Sequence, residues 1–561
     1  MATTKTLQHS NNDIKDRVIL QFDYDCFYAS VFEHLHPALK SKPVGVRQKG
    51  ILATCNYVAR ARGVRKLSLL SDAMRACPDL VVCNGEDLTP FRDESKRLYS
   101  VLRGFSWSGK VEKLGLDEVF MDVTDIIDYN MSCLNLAHLH SAFFFLSCRD
   151  PELGFPCDLS QFAGCVTGAT PSIALRHISA YATDPPAFAT DPVVAASALR
   201  LLLGSHLAQY LRERLEDHGF TASCGVATNK VLSKMAAAKN KPRNQTTLLL
   251  LSAKDREAFM AGHTVRQIPG IGARTAGVLQ DLVQSSEACT VAQVLRVPDM
   301  SPRLLDRVLS RSGSERDIGE KLWNLLHGID ETIVKNRTSV PSQISVEDSF
   351  RHLRGTQKIH AELRRLAAAL VRRMRTDLLV IDAPEERDKS VHWAARPKTL
   401  RLSLRNMKKG ESLADMYAHR VSRSQPVPGF LFNVKEEAEE LAARLVDEAL
   451  ARLLTKFGIA EAEWDIAILN VGVSNMVVGA SDSVDGSGRN IADMFKRQDE
   501  VLQPFRVTEG EGLGTEDTED WDWEEHSGDE RDAATVICPQ CDHRFLAFAL
   551  VAHLRYHQLE K

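Results

Sequence analysis

At 561 residues, with 44% hydrophobic and 26% charged side chains, the chain has material for about three to five domains with separate cores. Its longest apolar run, around Ala142–Leu146, is too short to span a bilayer, and the polar start Met1–Asn12 has no signal-peptide core, which excludes membrane-spanning and secreted readings. The net charge of −4 is uneven: residues 509–532 hold 12 Asp or Glu against one Arg, −11 in all, which leaves +7 on a body able to meet a polyanion.

Twelve scattered cysteines without an even framework fit a reducing compartment, so a soluble intracellular protein is expected. Residues 1–13 read as a disordered leader. The run Val18–Tyr28 then alternates as a buried strand, directing Asp23 and Asp25 to one face, and Phe27–Leu35 continues as a helix. Strands follow at Lys42–Arg47 and Gly50–Asn56. Beyond them Tyr57 and Arg60 share a helix face at i, i+3, where both can reach one anion or simply face solvent.

In Lys113–Val123 two adjacent acids, Asp117 and Glu118, interrupt an apolar run and sit at a bend. Paired with the first strand, this hairpin gathers Asp23, Asp117 and Glu118 into one carboxylate cluster of the kind hard divalent cations require. Two such ions about 3.5–4 Å apart serve phosphoryl transfer. The alternative is two acidic turns on a solvated edge.

Residues 150–192 are rich in Pro, Thr, Ala and Cys and read as a long loop. Cys148, Cys157 and Cys165 near His138 and His140 are too irregularly spaced for a metal site, and thiols of ordinary kind are expected. A helix is expected over Ser197–Glu216. The segment Ile268-Pro269-Gly270-Ile271-Gly272 opens a helix–hairpin–helix turn, whose Gly270 and Gly272 would let backbone amides approach a DNA phosphate. From Val340 the pattern runs strand, helix Lys358–Leu379, strand Lys398–Arg405, helix Lys435–Phe457, strand Ile466–Val473, an α+β unit. Its first helix carries Arg364, Arg365, Arg372, Arg373 and Arg375, read here as a grip on a nucleic-acid backbone in preference to a solvated face.

Five blocks in order carry a resemblance: Asp23-Tyr24-Asp25-Cys26-Phe27-Tyr28, Asn56-Tyr57-x-Ala59-Arg60-x-x-Gly63-Val64, Leu116-Asp117-Glu118, Gly225-Val226-Ala227-x-Asn229-Lys230 with Lys234 and Lys241-Pro242, and the Ile268–Gly272 turn. Together they resemble the Y-family, lesion-bypass DNA polymerases over roughly residues 14 to 475. Gln48-Lys49, Asn84–Thr89 and Pro341–Phe350 resemble the iota branch of that family. The resemblance implies an α+β multidomain right hand: a ferredoxin-like palm over 14–262 with small fingers inserted at about 36–90, a helical thumb over 263–335, and a β-α-β-β-α-β little finger over 340–476. The additional segment at about 150–192 departs from the family's pattern.

Carried over residue by residue, Asp23, Asp117, Glu118 and the Tyr24 carbonyl become ligands of two Mg²⁺ ions, with Mn²⁺ as an alternative. Tyr28 becomes the steric gate against a ribose 2′-hydroxyl. Tyr57, Arg60 and Lys241 become the triphosphate clamp, Arg supplying a fork and Lys a point charge. Gln48 and Ile51 roof the nascent base pair. Primer–template DNA, dNTP and a nuclear location follow from the resemblance; a catalytically silent scaffold at stalled forks and a nucleotide cyclase are the rival readings.

After Asn475 the composition turns to Gly, Ser and Asp, a disordered acidic linker over 477–534. Within it Ile491, Met494 and Phe495 resemble a degenerate sliding-clamp peptide, although Gly488 stands where that motif has Gln. The final segment, 535–561, sets Cys538 and Cys541 eleven residues ahead of His553 and His557, the spacing of a ββα-type Zn²⁺ finger. It resembles the ubiquitin-binding finger of the eta branch, with Arg555 in place of that finger's Asp.

Overall fold

The computed structural model describes residues 17–183, 192–309, 317–336, 340–381, 391–407 and 420–478, and the short strands Thr535–Ile537 and Arg544–Leu546. The chain divides into two units, Met1–Ala480 and Ser481–Lys561. Among the described residues no helix is long and apolar enough to cross a membrane.

The first unit is built on a six-stranded sheet. Its strands, numbered in chain order through the whole protein, are β1 (Ile19–Tyr24), β5 (Val111–Leu114), β6 (Glu118–Asp122), β9 (Cys165–Gly168), β10 (Ala222–Ala227) and β11 (Gln245–Leu249). Their spatial order is β5-β6-β1-β10-β11-β9, with β1 antiparallel to both neighbours and β10, β11 and β9 parallel. Period-two alternation explains the use of β1. Leu20, Phe22 and Tyr24 enter the main core with the helices Phe27–Leu35, Thr89–Arg103 and Pro192–Asp217. Ile19 packs on the opposite face with Phe120 and Val334, the face that ends at Asp23. The helix Lys230–Ala237 lies so close to β10 that a Cβ on Gly225 would meet the Ser233 carbonyl oxygen at 1.9 Å, so only glycine fits there.

Between the first helix and Thr89 lies a separate three-stranded sheet, β3 (Ile51–Cys55), β2 (Val44–Gln48), β4 (Val81–Asn84), with a small core of Leu52, Cys55, Ala59, Val64, Ala73, Cys77 and Leu80. A helical body follows the six-stranded sheet, running from Ala253–Ala261 to Ile318–Leu326 around Met260, Ile268, Leu279, Val294, Leu305 and Leu322.

Much of the stretch expected as a long loop is built into the six-stranded sheet and the main core. The hairpin β7 (Ala142–Phe145) with β8 (Gly154–Cys157) buries Phe144 in the main core, where Leu159 and Phe162 join it. Strand β9 extends the sheet by parallel pairing with β11, and the helix Pro171–Thr183 follows. Cys148 is exposed, and Cys165 lies by the Asn244 side chain at 3.7 Å.

The last part of the first unit is an antiparallel sheet in the order β12 (Gln343–Leu353), β17 (Ile466–Val478), β15 (Ala395–Asn406), β16 (Val421–Pro426), flanked by the short pair β13 (Leu379–Ile381) and β14 (Val391–Trp393). Helices Thr356–Leu378 and Ala438–Leu445, the latter continued through a π-turn, pack with the sheet around Leu363, Leu370, Leu402, Leu441 and Val471.

The arginine-rich helix meets acids and carbonyls of its own domain. Arg364 meets Asp447 at 3.2 Å, Arg365 meets Glu362 at 2.7 Å and also Asp348, and Arg372 pairs with Glu439. Arg373 donates to the Ser345 carbonyl at 2.7 Å, and Arg375 to that of Asn433 at 3.0 Å. These contacts engage the row with its own domain, while Arg364, Arg365 and Arg372 each keep about half of the side chain exposed, so the pairs are weak, solvent-screened ones.

In the second unit, strands β18 (Thr535–Ile537) and β19 (Arg544–Leu546) pair antiparallel. Cys538, Cys541, His553 and His557, and Ile491, Met494 and Phe495, lie outside the described residues.

Candidate active site

Pairing of β1 with β6 sets Asp23 opposite Glu118, and the Tyr24 N–H donates to the Asp117 carbonyl at 2.8 Å. Gly115, at φ 84°, makes the tight loop between Leu114 and Glu118 that turns Asp117 back toward β1. Three carboxylates thus converge at one end of the sheet. Burial, reinforced by the charges of Asp23 and Glu118, pushes the Asp117 carboxyl up to about 6. The expectation that Asp25 would share the face of Asp23 is not met. The strand ends at Tyr24, and Asp25 turns into the protein, where its carboxylate accepts from the Thr221 hydroxyl and the Arg243 backbone N–H, both at 2.9 Å.

Two lysines answer the acids: Lys241 Nζ lies 2.7 Å from Asp23 Oδ2, and Lys234 Nζ 2.8 Å from Glu118 Oε2. Lys234 was not singled out from the sequence. Its signal was the spacing of the Gly225 block, because close packing of the Lys230–Ala237 helix on β10 aims Lys234 at the hairpin. Asp117 has no such partner; the Lys241 charge lowers its proton affinity less than burial and the two neighbouring acids raise it. Carboxylates are the donors that hard divalent cations take, but with Asp23 and Glu118 resting on lysines no group of three or more His, Cys, Asp or Glu among the described residues is arranged to hold a metal ion.

Tyr28 stacks on Phe91 with ring centroids 4.4 Å apart, fixing its ring beside the acids. Tyr57 opens the short helix Tyr57–Ala61, capped by Asn56, whose side chain accepts from the Ala59 N–H at 2.9 Å and is tied to Glu33 and Lys42. The Arg60 guanidinium carbon stands 4.6 Å from the Tyr57 ring centroid, and its Nε donates to the Cys55 carbonyl at 3.1 Å. Gln48 and Ile51 face each other across the turn of the β2–β3 hairpin. Gln48 donates to the Gly85 carbonyl at 3.0 Å, whereas Ile51 is 47% exposed, a bare apolar surface. Farther on, Gly270 takes a φ of 93°, and Gly272 caps the helix Ala273–Val283 with open space where its Cβ would be.

The sequence pattern of the impB/mucB/samB family matches residues 22–238, and that of its C-terminal domain matches residues 341–485. DNA polymerase iota of Drosophila melanogaster is 30% identical over 485 residues, covering 84% of this chain and 57% of the relative. DNA polymerase iota of Homo sapiens is 31% identical over 413 residues, 73% of this chain and 46% of the relative, and DNA polymerase IV of Pseudomonas syringae pv. tomato is 27% identical over 339 residues, 60% and 70%. The chain spans about half the length of the two iota relatives. Matched by both patterns in order, with the carboxylate hairpin, the Tyr57 helix and the Lys234 helix inside the first, the chain belongs to the impB/mucB/samB family, the Y-family of its motifs, and resembles the iota branch within it.

Proposed function

We propose that this protein is a template-directed DNA polymerase of the translesion type, and the observation that carries the reading is the convergence of Asp23, Asp117 and Glu118. In this reaction the primer 3′-oxygen forms a bond to the α-phosphorus of a paired dNTP. The bond to pyrophosphate breaks, and the hydroxyl proton passes to water. Asp23, Asp117, Glu118 and the Tyr24 carbonyl would hold divalent cations, Mg²⁺ or Mn²⁺. Bound there, such cations lower the hydroxyl's pKa and neutralise charge on the transferring phosphoryl.

The chain's own residues do the positioning. Lys241, resting on Asp23, can swing to the triphosphate as that carboxylate takes up its ligand role. Arg60 and the Tyr57 hydroxyl supply a fork and a donor for the phosphate oxygens. The Tyr28 ring, held by Phe91, fills space that a ribose 2′-hydroxyl needs. The exposed Ile51 beside Gln48 makes a small roof, and a small roof penalises misfit weakly, as bypass of damaged templates requires. Gly272 leaves the first-turn amides of its helix open to a DNA phosphate.

In the tail we assign a Zn²⁺ finger to Cys538, Cys541, His553 and His557, because strands β18 and β19 bracket the Cys pair as in a ββα finger. Ubiquitin for the finger, a sliding clamp for Ile491, Met494 and Phe495, and a nuclear location belong to the same reading.

The test is single-nucleotide primer extension opposite each template base, with Mg²⁺ and then Mn²⁺. Accurate insertion opposite A with frequent G opposite T supports the iota-like roof of Gln48 and Ile51; uniform fidelity moves the enzyme toward the eta branch. No extension at all sinks the polymerase reading and leaves a scaffold.

A further inference from the structure

Asp25 is left over once the carboxylate cluster is assigned. It is 4% exposed, and a buried carboxylate is tolerated only where its oxygens are hydrogen-bonded. Its Oδ2 accepts from the Thr221 hydroxyl and the Arg243 N–H, each at 2.9 Å, and its Oδ1 faces the Tyr57 hydroxyl at 3.5 Å. Its own N–H donates to the Thr221 carbonyl at 2.9 Å, and the Ser30 hydroxyl donates to its carbonyl at 2.6 Å, so the residue is fixed from both ends.

The partners of that one carboxylate support the whole anion-binding set. Arg243 closes a turn in which Asn240 and Arg243 hold φ of 51° and 46°, a left-handed conformation that residues with a side chain adopt only when something compensates. Lys241 rides in this turn, and the Arg243 N–H bond to Asp25 pins the turn's end. On the other side, the Tyr57 ring whose hydroxyl Asp25 faces is the platform for the Arg60 guanidinium.

We propose that Asp25 is the positioning residue of the triphosphate clamp, joining the fingers half (Tyr57 with Arg60) to the palm half (the Lys241 turn) through its two carboxylate oxygens; the inference rests on the polymerase reading above. Asp25 touches no substrate in this scheme. It sets the spacing between cations that must meet three phosphates at once, so its loss weakens nucleotide capture more than the chemical step.

The experiment compares the full chain with its Asp25→Ala variant in steady-state primer extension, with primer–template affinity measured separately. Expected is a rise in dNTP KM of about 10-fold or more, the size of one or two lost charge-assisted hydrogen bonds, with kcat and DNA affinity each within about three-fold. An unmoved KM, or equal losses in kcat and DNA affinity, overturns the role. Tyr57→Phe alone should also raise KM, through its own phosphate contact as well as through Asp25, and the double variant should fall short of the product of the two effects by the share that the Asp25–Tyr57 contact carries. A full multiplicative loss overturns the shared contact. Should Asp25→Ala fail to fold, Thr221→Val, which removes one partner and keeps the carboxylate, replaces it: a KM rise of two-fold or more supports the role, and an unchanged KM overturns it. If the unaltered chain extends no primer, the polymerase reading falls and takes this inference with it; extension by the unaltered chain with a silent Asp25 sinks the inference alone.

Discussion

The carboxylate hairpin at the end of the six-stranded sheet and the arginine row of the helix Thr356–Leu378 are both dense runs of like charge, and their surroundings answer them to different degrees. Each arginine of the row finds an acid or a carbonyl on a packed neighbour, among them Asp447, Glu439 and the Ser345 carbonyl. At the hairpin, Lys241 and Lys234 take up Asp23 and Glu118, yet burial first, and then the charges of those two acids, hold Asp117 up to about 6. A charge run that its own fold neutralises is structure. One that the fold gathers and leaves short of countercharge is held for something that arrives later.

The largest expected effect breaks the hairpin side of that comparison. Asp117→Ala should reduce nucleotide addition by about 10³-fold or more while DNA affinity stays within about two-fold, since the residue acts on transferring charge and not on duplex binding. Activity surviving above a contamination control would remove the cluster from catalysis.

The same carboxyl carries a stability signature of unusual sign. An ordinary salt-bridged Asp has its proton affinity lowered by folding and stabilises the protein as pH rises. Asp117 is raised to about 6 against about 4 in an unfolded chain, so the folded state binds the extra proton. Stability of the metal-free protein should therefore fall as pH climbs from about 4 to about 6, by about 2 kcal/mol. Asp117→Asn should abolish that slope and raise the midpoint of denaturation at neutral pH. Thermal melts of both proteins across this window, with and without Mg²⁺, decide it; an identical slope in the variant would show that another group titrates.

Tyr28→Ala tests whether the Phe91-stacked ring is a gate. The expected outcome is a rise of about 10-fold or more in ribonucleotide use relative to deoxyribonucleotide, because a site that excludes one hydroxyl by contact loses that contact outright. Competing rNTP and dNTP incorporation on one template reads it directly, and an unchanged ratio removes the role.

How far the sequence could be read follows from the range of the interactions involved. The pairing of β1 with β6 was legible, because apolar alternation and the acids at its end are local signals. Asp25 was misread, since the pattern continues past Tyr24 while Thr221 and Arg243, which draw its side chain inward, lie about two hundred residues away. Strand β9 was missed for a related reason: it joins the sheet by parallel addition to β11, a contact that no short-range period announces. The five arginines show the converse limit: the composition suits phosphate, and the partners they also have, such as Asp447 and Glu439, come only from tertiary packing.

The smallest effects sharpen the arginine side, in the domain of the four-stranded sheet. The face of its sheet around Arg401, Ser403, Arg420, Ser422 and Asn470 lines a cavity, and Arg401 is exposed there, whereas the helix arginines are engaged. Arg401→Ala should weaken primer–template binding a few-fold, alike for all sequences, and reduce the salt-dependence slope by about 1. Arg372→Ala, by contrast, should leave both within error and change stability by no more than about 0.5 kcal/mol, because its pair with Glu439 is exposed and screened. Binding isotherms across a salt series separate the two surfaces. A slope reduced by Arg372→Ala and untouched by Arg401→Ala would return the grip on DNA to the helix and show that its ion pairs open when the duplex arrives.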